Sequence, residues 1–196
     1  MTHYPADHPY DLLATWIEEA KAGEINDPNA LYLATVDAEG QPSLRTVLLK
    51  GLDARGPAFY TNLTSRKGQE LLGQRKIAIL FHWKSLERQV RIEGSVEQIA
   101  DEEADAYFAT RPRMSQIGAH ASLQSQPLPH QGALQDRIAE VEAQYADQPV
   151  PRPDHWSGFR LIPNRFEFWW AGEFRLHERE VLMPEGSGWV GQRLFP

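Results

Sequence analysis

From Leu31 onward, apolar and polar residues alternate with a period of two through five stretches, 31–36, 43–52, 58–62, 76–83 and 88–99. That period sends neighbouring side chains to opposite faces, as in a half-buried β-strand. The stretches are rich in β-branched and aromatic residues, which suit a pleated surface. Asp37-Ala38-Glu39-Gly40 and Asp53-Ala54-Arg55-Gly56 join the first three. Such short connectors suffice for a hairpin but not for a crossover helix. Further strands are expected at 158–162, 165–170 and 174–182, then a turn at Glu185-Gly186-Ser187-Gly188 and a last strand.

Helices punctuate this pattern. One is expected at 9–22, where Leu12, Leu13, Trp16, Ile17 and Ala20 form an apolar stripe that Gly23 ends. A second follows Ser65 as N-cap, a third runs from Asp101 toward Arg111 until Pro112 stops it, and a fourth covers 131–145. Hairpin-spaced strands with interspersed helices give a mainly β, α+β chain, an antiparallel barrel rather than a doubly wound parallel sheet. No interdomain linker interrupts the 196 residues, so one domain is expected.

Composition narrows the function. With 41% apolar and 24% charged residues the chain lies outside the disordered range. The absence of cysteine excludes disulfides, thiolate metal sites and cysteine nucleophiles. No apolar run approaches the roughly 20 residues that span a bilayer. The first seven residues lack the basic and apolar regions of a secretory signal. A cytoplasmic protein without a membrane partner is expected. The net charge of −7 is unevenly spread: residues 45–91 carry +7 and the remainder −14. Cations gathered on an otherwise acidic chain favour a local anion site, against the plainer alternative of solvated surface cations. An acidic whole repels a phosphate backbone, so no nucleic-acid partner is expected.

Three familiar patterns are decoys. Gly186-Ser187-Gly188-Trp189-Val190-Gly191 matches G-x-G-x-x-G, but no helix can follow it, so it reads as a hairpin turn. Asn62-Leu63-Thr64 is a glycosylation sequon without secretion. The seven histidines show no metal-ligand spacing, and no metal is expected.

Four segments carry chemistry. Thr64-Ser65-Arg66-Lys67 places hydroxyls and cations at a helix N-terminus, where free N–H groups favour an anion. An ordinary capped helix would look the same. In Arg45-Thr46-Val47-Leu48-Leu49-Lys50 the two cations are an odd number apart, so a regular strand sends them to different partners. Tyr107 and Arg111 are neighbours on one helix face, and with Ser115 they form a reasonable phosphate clamp or merely a helix end. Arg175, His177 and Arg179 are expected to line one face of a strand, beside the aromatic run Phe166-Glu167-Phe168-Trp169-Trp170. A charged edge strand on an aromatic core is the bland reading of that pair.

Together these segments resemble the pyridoxine (pyridoxamine) 5′-phosphate oxidases. The matching runs are Arg45 to Lys50, Phe59 to Asn62, Ser65 to Lys67, Leu86 to Val90, Arg111 to Ala119, Gln124-Ser125 and Glu173 to His177. The resemblance implies a split-barrel FMN-binding fold spanning 1–196, with 1–27 an N-terminal segment shorter than usual for the family. It also implies a homodimer with both flavins at the subunit interface, and oxidation of pyridoxine or pyridoxamine 5′-phosphate to pyridoxal 5′-phosphate with release of hydrogen peroxide. By the same resemblance, Arg45, Thr46, Val47, Leu48, Leu49, Lys50, Tyr60, Thr61, Arg66, Lys67 and Gln89 would bind FMN. Gln124, Ser125, Trp169 and Arg179 would complete that site, some from the partner subunit. Lys50, Tyr107, Arg111 and Ser115 would hold the substrate phosphate. Arg175, Leu176 and His177 would lie over the pyridine ring, with Arg175 and His177 catalytic. Trp170, Ala171, Phe174 and Glu180 depart from the family pattern at the pocket rim. A related split-barrel oxidase acting on a phenazine-type aromatic, and a non-catalytic flavin or pyridoxal-phosphate carrier, are the competing readings.

Overall fold

In the computed structural model, which describes residues 1–196, one antiparallel sheet does most of the building. Its strands are β1 (Thr2–Tyr4), β2 (Ala30–Val36), β3 (Pro42–Leu48), β4 (Gly51–Asp53), β5 (Gly56–Asn62), β6 (Lys76–Trp83), β7 (Arg88–Gln98), β8 (Trp156–Trp170), β9 (Glu178–Glu185) and β10 (Gly188–Leu194). They pair in the order β1-β10-β9-β8-β7-β6-β2-β3, with β4 on β5 and β5 on β8. Five helices decorate it: α1 (His8–Gly23), α2 (Arg66–Gly73), α3 (Asp101–Ala109), α4 (Arg113–Ala121) and α5 (Ala133–Gln144). No helix is long and apolar enough to cross a membrane.

The long β8 organises the sheet. Its first half lies between β5 and β7, Arg160 being opposite both Ala58 and Glu97. Its second half lies between β7 and β9. The sheet therefore forks at β8 and curls, bringing β3 round toward β5. The two do not pair as strands; the chain bridges them with the Lys50 N–H, which donates to the Ala58 carbonyl at 2.8 Å. A seam is left there.

Inside the curl lies the core, where Phe59, Phe81, Val90, Ile92, Phe166 and Phe168 are buried. α1 seals one end. Its Trp16 meets Phe168 edge-on at 5.2 Å and Trp83 at 6.3 Å, and Leu13, Ile17 and Ala20 are buried beside it. Burial of such side chains contributes on the order of 2 kcal/mol each.

The expected barrel is present, with four local differences besides the short β1, which the sequence pattern did not suggest. The stretch 43–52 is not one strand: β3 stops at Leu48, so Arg45 and Lys50 do not share a regular strand. The expected strands at 158–162 and 165–170 are one, β8, because a bulge opposite Glu93 and Gly94 absorbs Asn164, next to Pro163, without ending the ladder. Pro112 ends α3 but also caps α4, a helix that the sequence pattern did not suggest. The expected strand at 174–182 begins only at Glu178, because Phe174 and Arg175 have φ of 54° and 66° within a tight 3-10 turn. Arg175, His177 and Arg179 therefore do not line one strand face. The glycine-rich decoy is the β9–β10 hairpin turn, as expected, with Gly186 at φ 59°.

Candidate active site

The seam between β3 and β5 opens into a hollow of about 460 Å³, a size that suits a small ligand. The end of β3 supplies Thr46, Val47 and Leu48, and Lys50 follows. Tyr60, Thr61 and Asn62 come from β5, and Lys67 from the first turn of α2. Tyr107 and Arg111 reach it from the end of α3, Ser115 from α4, and Gln124 from the segment beyond. Three cations line it and no aspartate or glutamate does.

At one end, Ser65 caps α2 by accepting the Gly68 N–H at 3.2 Å, as expected of an N-cap. Lys67 Nζ donates to Thr61 Oγ1 at 3.2 Å and to Gln124 Oε1 at 2.9 Å. Burial and the nearby Arg45 charge push the Lys67 ammonium below its ordinary value, since its partners are all neutral.

At the other end sits Arg111. Its guanidinium lies 4.7 Å from the Trp156 ring and 5.4 Å from the Phe108 ring. Nη1 is buried and has no hydrogen-bond partner. A buried, unpaired cation is costly, and burial pushes the Arg111 guanidinium downward. Tyr60 stacks on Tyr107 at 4.1 Å and on Trp156 at 5.1 Å, forming a wall of parallel rings. Gly158 makes that wall possible, because a Cβ there would come within 2.7 Å of the Tyr60 ring. Burial raises both tyrosine hydroxyls above their ordinary range, so they stay protonated donors.

A second hollow of about 300 Å³ lies on the outer face of the sheet. Gln89, Trp169 and Arg179 stand opposite one another on β7, β8 and β9 and form one cross-strand row. In the next row Glu167 is buried and draws in three arginines. Arg179 donates to it at 2.7 and 2.9 Å, Arg165 at 3.2 Å, and Arg91 also pairs with it. Burial alone would raise this carboxyl, but those guanidinium groups outweigh it and hold it below the usual carboxylate range.

The residues expected at one site thus fall into separate places within the chain. Thr46, Val47, Leu48, Lys50, Tyr60, Thr61, Lys67, Tyr107, Arg111, Ser115 and Gln124 meet in the first hollow, and Gln89, Trp169 and Arg179 in the second. Ser125 stands beside Gln124 with φ 73°. Arg45 turns away from the seam to Glu70 at 3.1 Å, and Arg66 joins the same carboxylate at 2.8 Å. Leu49 belongs to the core. Arg175, Leu176 and His177 line neither hollow. They form an exposed tip with Phe174, which is 90% exposed. His177 packs against Trp169 at 4.6 Å and accepts the Gly172 N–H on Nδ1 at 3.2 Å. A Cβ at Gly172 would sit 2.0 Å from the Leu176 carbonyl, so the tip requires glycine there. Tyr4 and Tyr10 point elsewhere, Tyr4 to Glu180 at 2.8 Å and Tyr10 to Phe166.

Sequence reading missed Trp156, Asn62 and Ser122, which also line the first hollow. An aromatic residue opening a strand was the only available signal for Trp156. Asn62 stood in the matching run Phe59 to Asn62 without a role, and nothing local marks Ser122.

Comparison with known families gives the chain's relatives. The family profile described as pyridoxamine 5′-phosphate oxidase matches residues 17–145, and that of the pyridoxine 5′-phosphate oxidase C-terminal dimerisation region matches residues 156–196. The chain belongs to the pyridoxine/pyridoxamine 5′-phosphate oxidase family. A Rhodospirillum rubrum protein named pyridoxine/pyridoxamine 5′-phosphate oxidase is 57% identical over 193 residues, covering 96% of each chain. The Gluconobacter oxydans protein of that name is 53% identical over 188 residues, 96% of this chain and 94% of that one. Among solved structures, PhzG of Burkholderia lata, in complex with tetrahydrophenazine-1-carboxylic acid, superposes with a TM-score of 0.90 at 34% identity. It covers 96% of this chain and 92% of its own. In this oxidase-family chain both β8 and the Gln89–Trp169–Arg179 row draw on the dimerisation region.

Proposed function

We propose that the chain oxidises pyridoxine 5′-phosphate or pyridoxamine 5′-phosphate to pyridoxal 5′-phosphate with bound FMN, as a homodimer whose active sites straddle the interface. The observation that carries this is the buried, partnerless Nη1 of Arg111 in a hollow without acids. Such a donor asks for a dianion. The hollow also has a second cationic end at Lys67, so its residues fit two phosphate groups, one at each end.

In this reading Lys50, Tyr107, Arg111 and Ser115 grip the substrate phosphate. Lys67, Thr61 and the α2 N-terminus hold the flavin phosphate, joined by Arg66 if it leaves Glu70. Tyr60 and the backbone of Thr46 to Lys50 flank the flavin. Gln89, Trp169 and Arg179 contribute their row from the other subunit, which accounts for the division of one site between two hollows. FMN, when bound, supplies the hydride acceptor and returns the electrons to oxygen as hydrogen peroxide. The protein's task is positioning: a phosphate anchored far from the reacting carbon holds the ring in near-attack geometry. Because His177 Nδ1 accepts the Gly172 N–H, the neutral ring carries its proton on Nε2. The exposed tip that carries Arg175 and His177 lines neither hollow of its own chain, so it would reach the pyridine from the other subunit, His177 donating from Nε2 and Arg175 supplying charge.

The PhzG likeness makes an unphosphorylated aromatic acid the competing substrate. Purified protein should be yellow and should release peroxide with pyridoxine 5′-phosphate but not with pyridoxine. A colourless preparation that FMN cannot reconstitute removes the flavin reading. Equal turnover of the unphosphorylated compounds removes the phosphate reading.

A further inference from the structure

α3 carries Tyr107 and delivers Arg111, yet apolar packing holds it only lightly. Within it only Ala104 and Phe108 are buried, and its N-cap residue, Ala100, makes no side-chain cap. Three arginines from outside the helix pair with it instead: Arg55 reaches Glu103 at 3.1 Å from the exposed rim, and two others also hold barrel backbone. Arg160 of β8, with 7% of its side chain exposed, donates Nη1 to the Gly56 carbonyl at 3.0 Å and to Asp53 at 3.2 Å, while its Nη2 pairs with Glu103 of α3. Arg152 donates Nη1 to the Trp156 carbonyl at 2.8 Å. Its other nitrogens hold Asp105 at 2.5 Å and Asp101 at 2.8 Å, both on α3.

The guanidinium groups of Arg152 and Arg160 therefore each have one side on barrel backbone and the other on the helix. The planar fork of arginine fixes both partners at once, which a lysine cannot do. The barrel anchors are also the frame of the site: Gly56 opens the strand of Tyr60, and Trp156 is the ring under Arg111. Neither arginine lines the hollow.

We propose that Arg152 and Arg160 are positioning residues that set the height and roll of α3, so that Tyr107 and Arg111 meet a phosphate ligand correctly. This rests on reading Tyr107 and Arg111 as phosphate ligands. The test uses the full-length, FMN-loaded protein and its Arg160→Met and Arg152→Met variants, with inorganic phosphate as a competing probe. KM for pyridoxine 5′-phosphate and the inhibition constant of phosphate should both rise roughly tenfold, since a shift of about 1 Å suffices for such losses. kcat should stay within about threefold, and FMN affinity should be unchanged, because Lys67 and Thr61 are not on α3. In an Arg111→Ala background, Arg160→Met should add little further, as expected of residues acting through one another. If Arg160→Met does not fold, Asp105→Asn at the exposed rim provides the same measurement with an expected rise of about twofold to threefold.

Folded variants with unchanged KM and phosphate inhibition overturn the proposal. So does a loss of FMN affinity in step with KM, which marks general loosening. Arg111→Ala leaving phosphate inhibition intact would instead sink the reading of the site itself.

Discussion

The two hollows treat their cations in opposite ways. In the outer one, Arg91, Arg165 and Arg179 all pair with the buried carboxylate of Glu167, and Glu93 takes up Arg91 and Arg165 as well. In the seam, Lys50, Lys67 and Arg111 have no acid among the lining residues, and Arg111 is held by aromatic faces. Glu70 repeats the outer arrangement on the other side of the sheet's curl, taking up Arg45 and Arg66. Neutralised arginines tie strands together; the cation left without an acid is the one available to a ligand. The difference teaches where folding energy was given up for binding.

The largest effect should come from breaking the neutralised cluster. Glu167→Gln leaves Arg179 without an acid and Arg91 and Arg165 with Glu93 alone, a loss of about 3 kcal/mol, the low end for a buried pair because the arginines are partly exposed. Equilibrium denaturation should record it, and a loss below about 1 kcal/mol would erase the contrast. Next comes Glu70. Burial would raise its carboxyl, but hydrogen bonds from Thr35, Ser43 and Arg66 and the charge of Arg45 win, lowering it from 4.5 to about 2. A depressed carboxylate stabilises the fold above its unfolded value, and that stability drains away as pH falls from about 4.5 toward 2. The full contribution is on the order of 3 kcal/mol. Glu70→Gln should lower stability at pH 7 and flatten its decline across that acid window; parallel curves for the two proteins would refute the assignment.

Arg111→Ala should do the reverse of Glu167→Gln. Removing a cation that makes one charge-assisted grip on a ligand costs about 2–3 kcal/mol of binding. In kcat/KM for the phosphorylated substrate that is a fall of roughly a hundredfold. Stability without ligand should change by less than about 1 kcal/mol, because losing a half-buried charge with an unpartnered Nη1 offsets losing its packing on Trp156 and Phe108. A destabilised but fully active variant would mean that Arg111 is structural.

Much of this contrast was legible in the sequence, and the part that was not has physical causes. Strand patterning is local, so β6 and β7 were readable to within a residue or so of their ends. The family runs pointed to Lys50, Tyr107, Arg111 and Ser115 as a group, and the fold does bring them to one hollow. α4 was missed because it buries only Ile117 and Ala121, too few for an apolar stripe, and because Pro112 was read only as a stop. Phe174 and Arg175 at the tip were read as strand because their left-handed φ leaves no mark in side-chain type. Which cation finds an acid is decided by long-range pairing: Arg45 meets Glu70 from another element, and Arg179 meets Glu167 across strands. Spacing could say that Arg45 and Lys50 serve different groups, but not which of them is the free one.

Lys67 gives the smallest and finest test. Burial and the Arg45 charge depress its ammonium in the free protein, where its hydrogen-bond partners, Thr61, Gln124 and Ser65, are all neutral. A bound phosphate monoester would stabilise the charged form and raise it again. The sign follows from linkage: when a ligand raises a base's pKa, binding takes up a proton, so affinity is full at low pH and weakens as pH rises through the free-state value. That value lies below 10.5. FMN affinity, followed by quenching of its fluorescence, should therefore decline by about tenfold for each unit of pH above it, the slope of a single linked proton. Lys67→Arg keeps the cation charged throughout and should remove that slope while leaving neutral-pH affinity within about fivefold. An unchanged slope in Lys67→Arg would assign the proton elsewhere, and a flat profile in the native protein would place Lys67 with the neutralised cations rather than with Arg111.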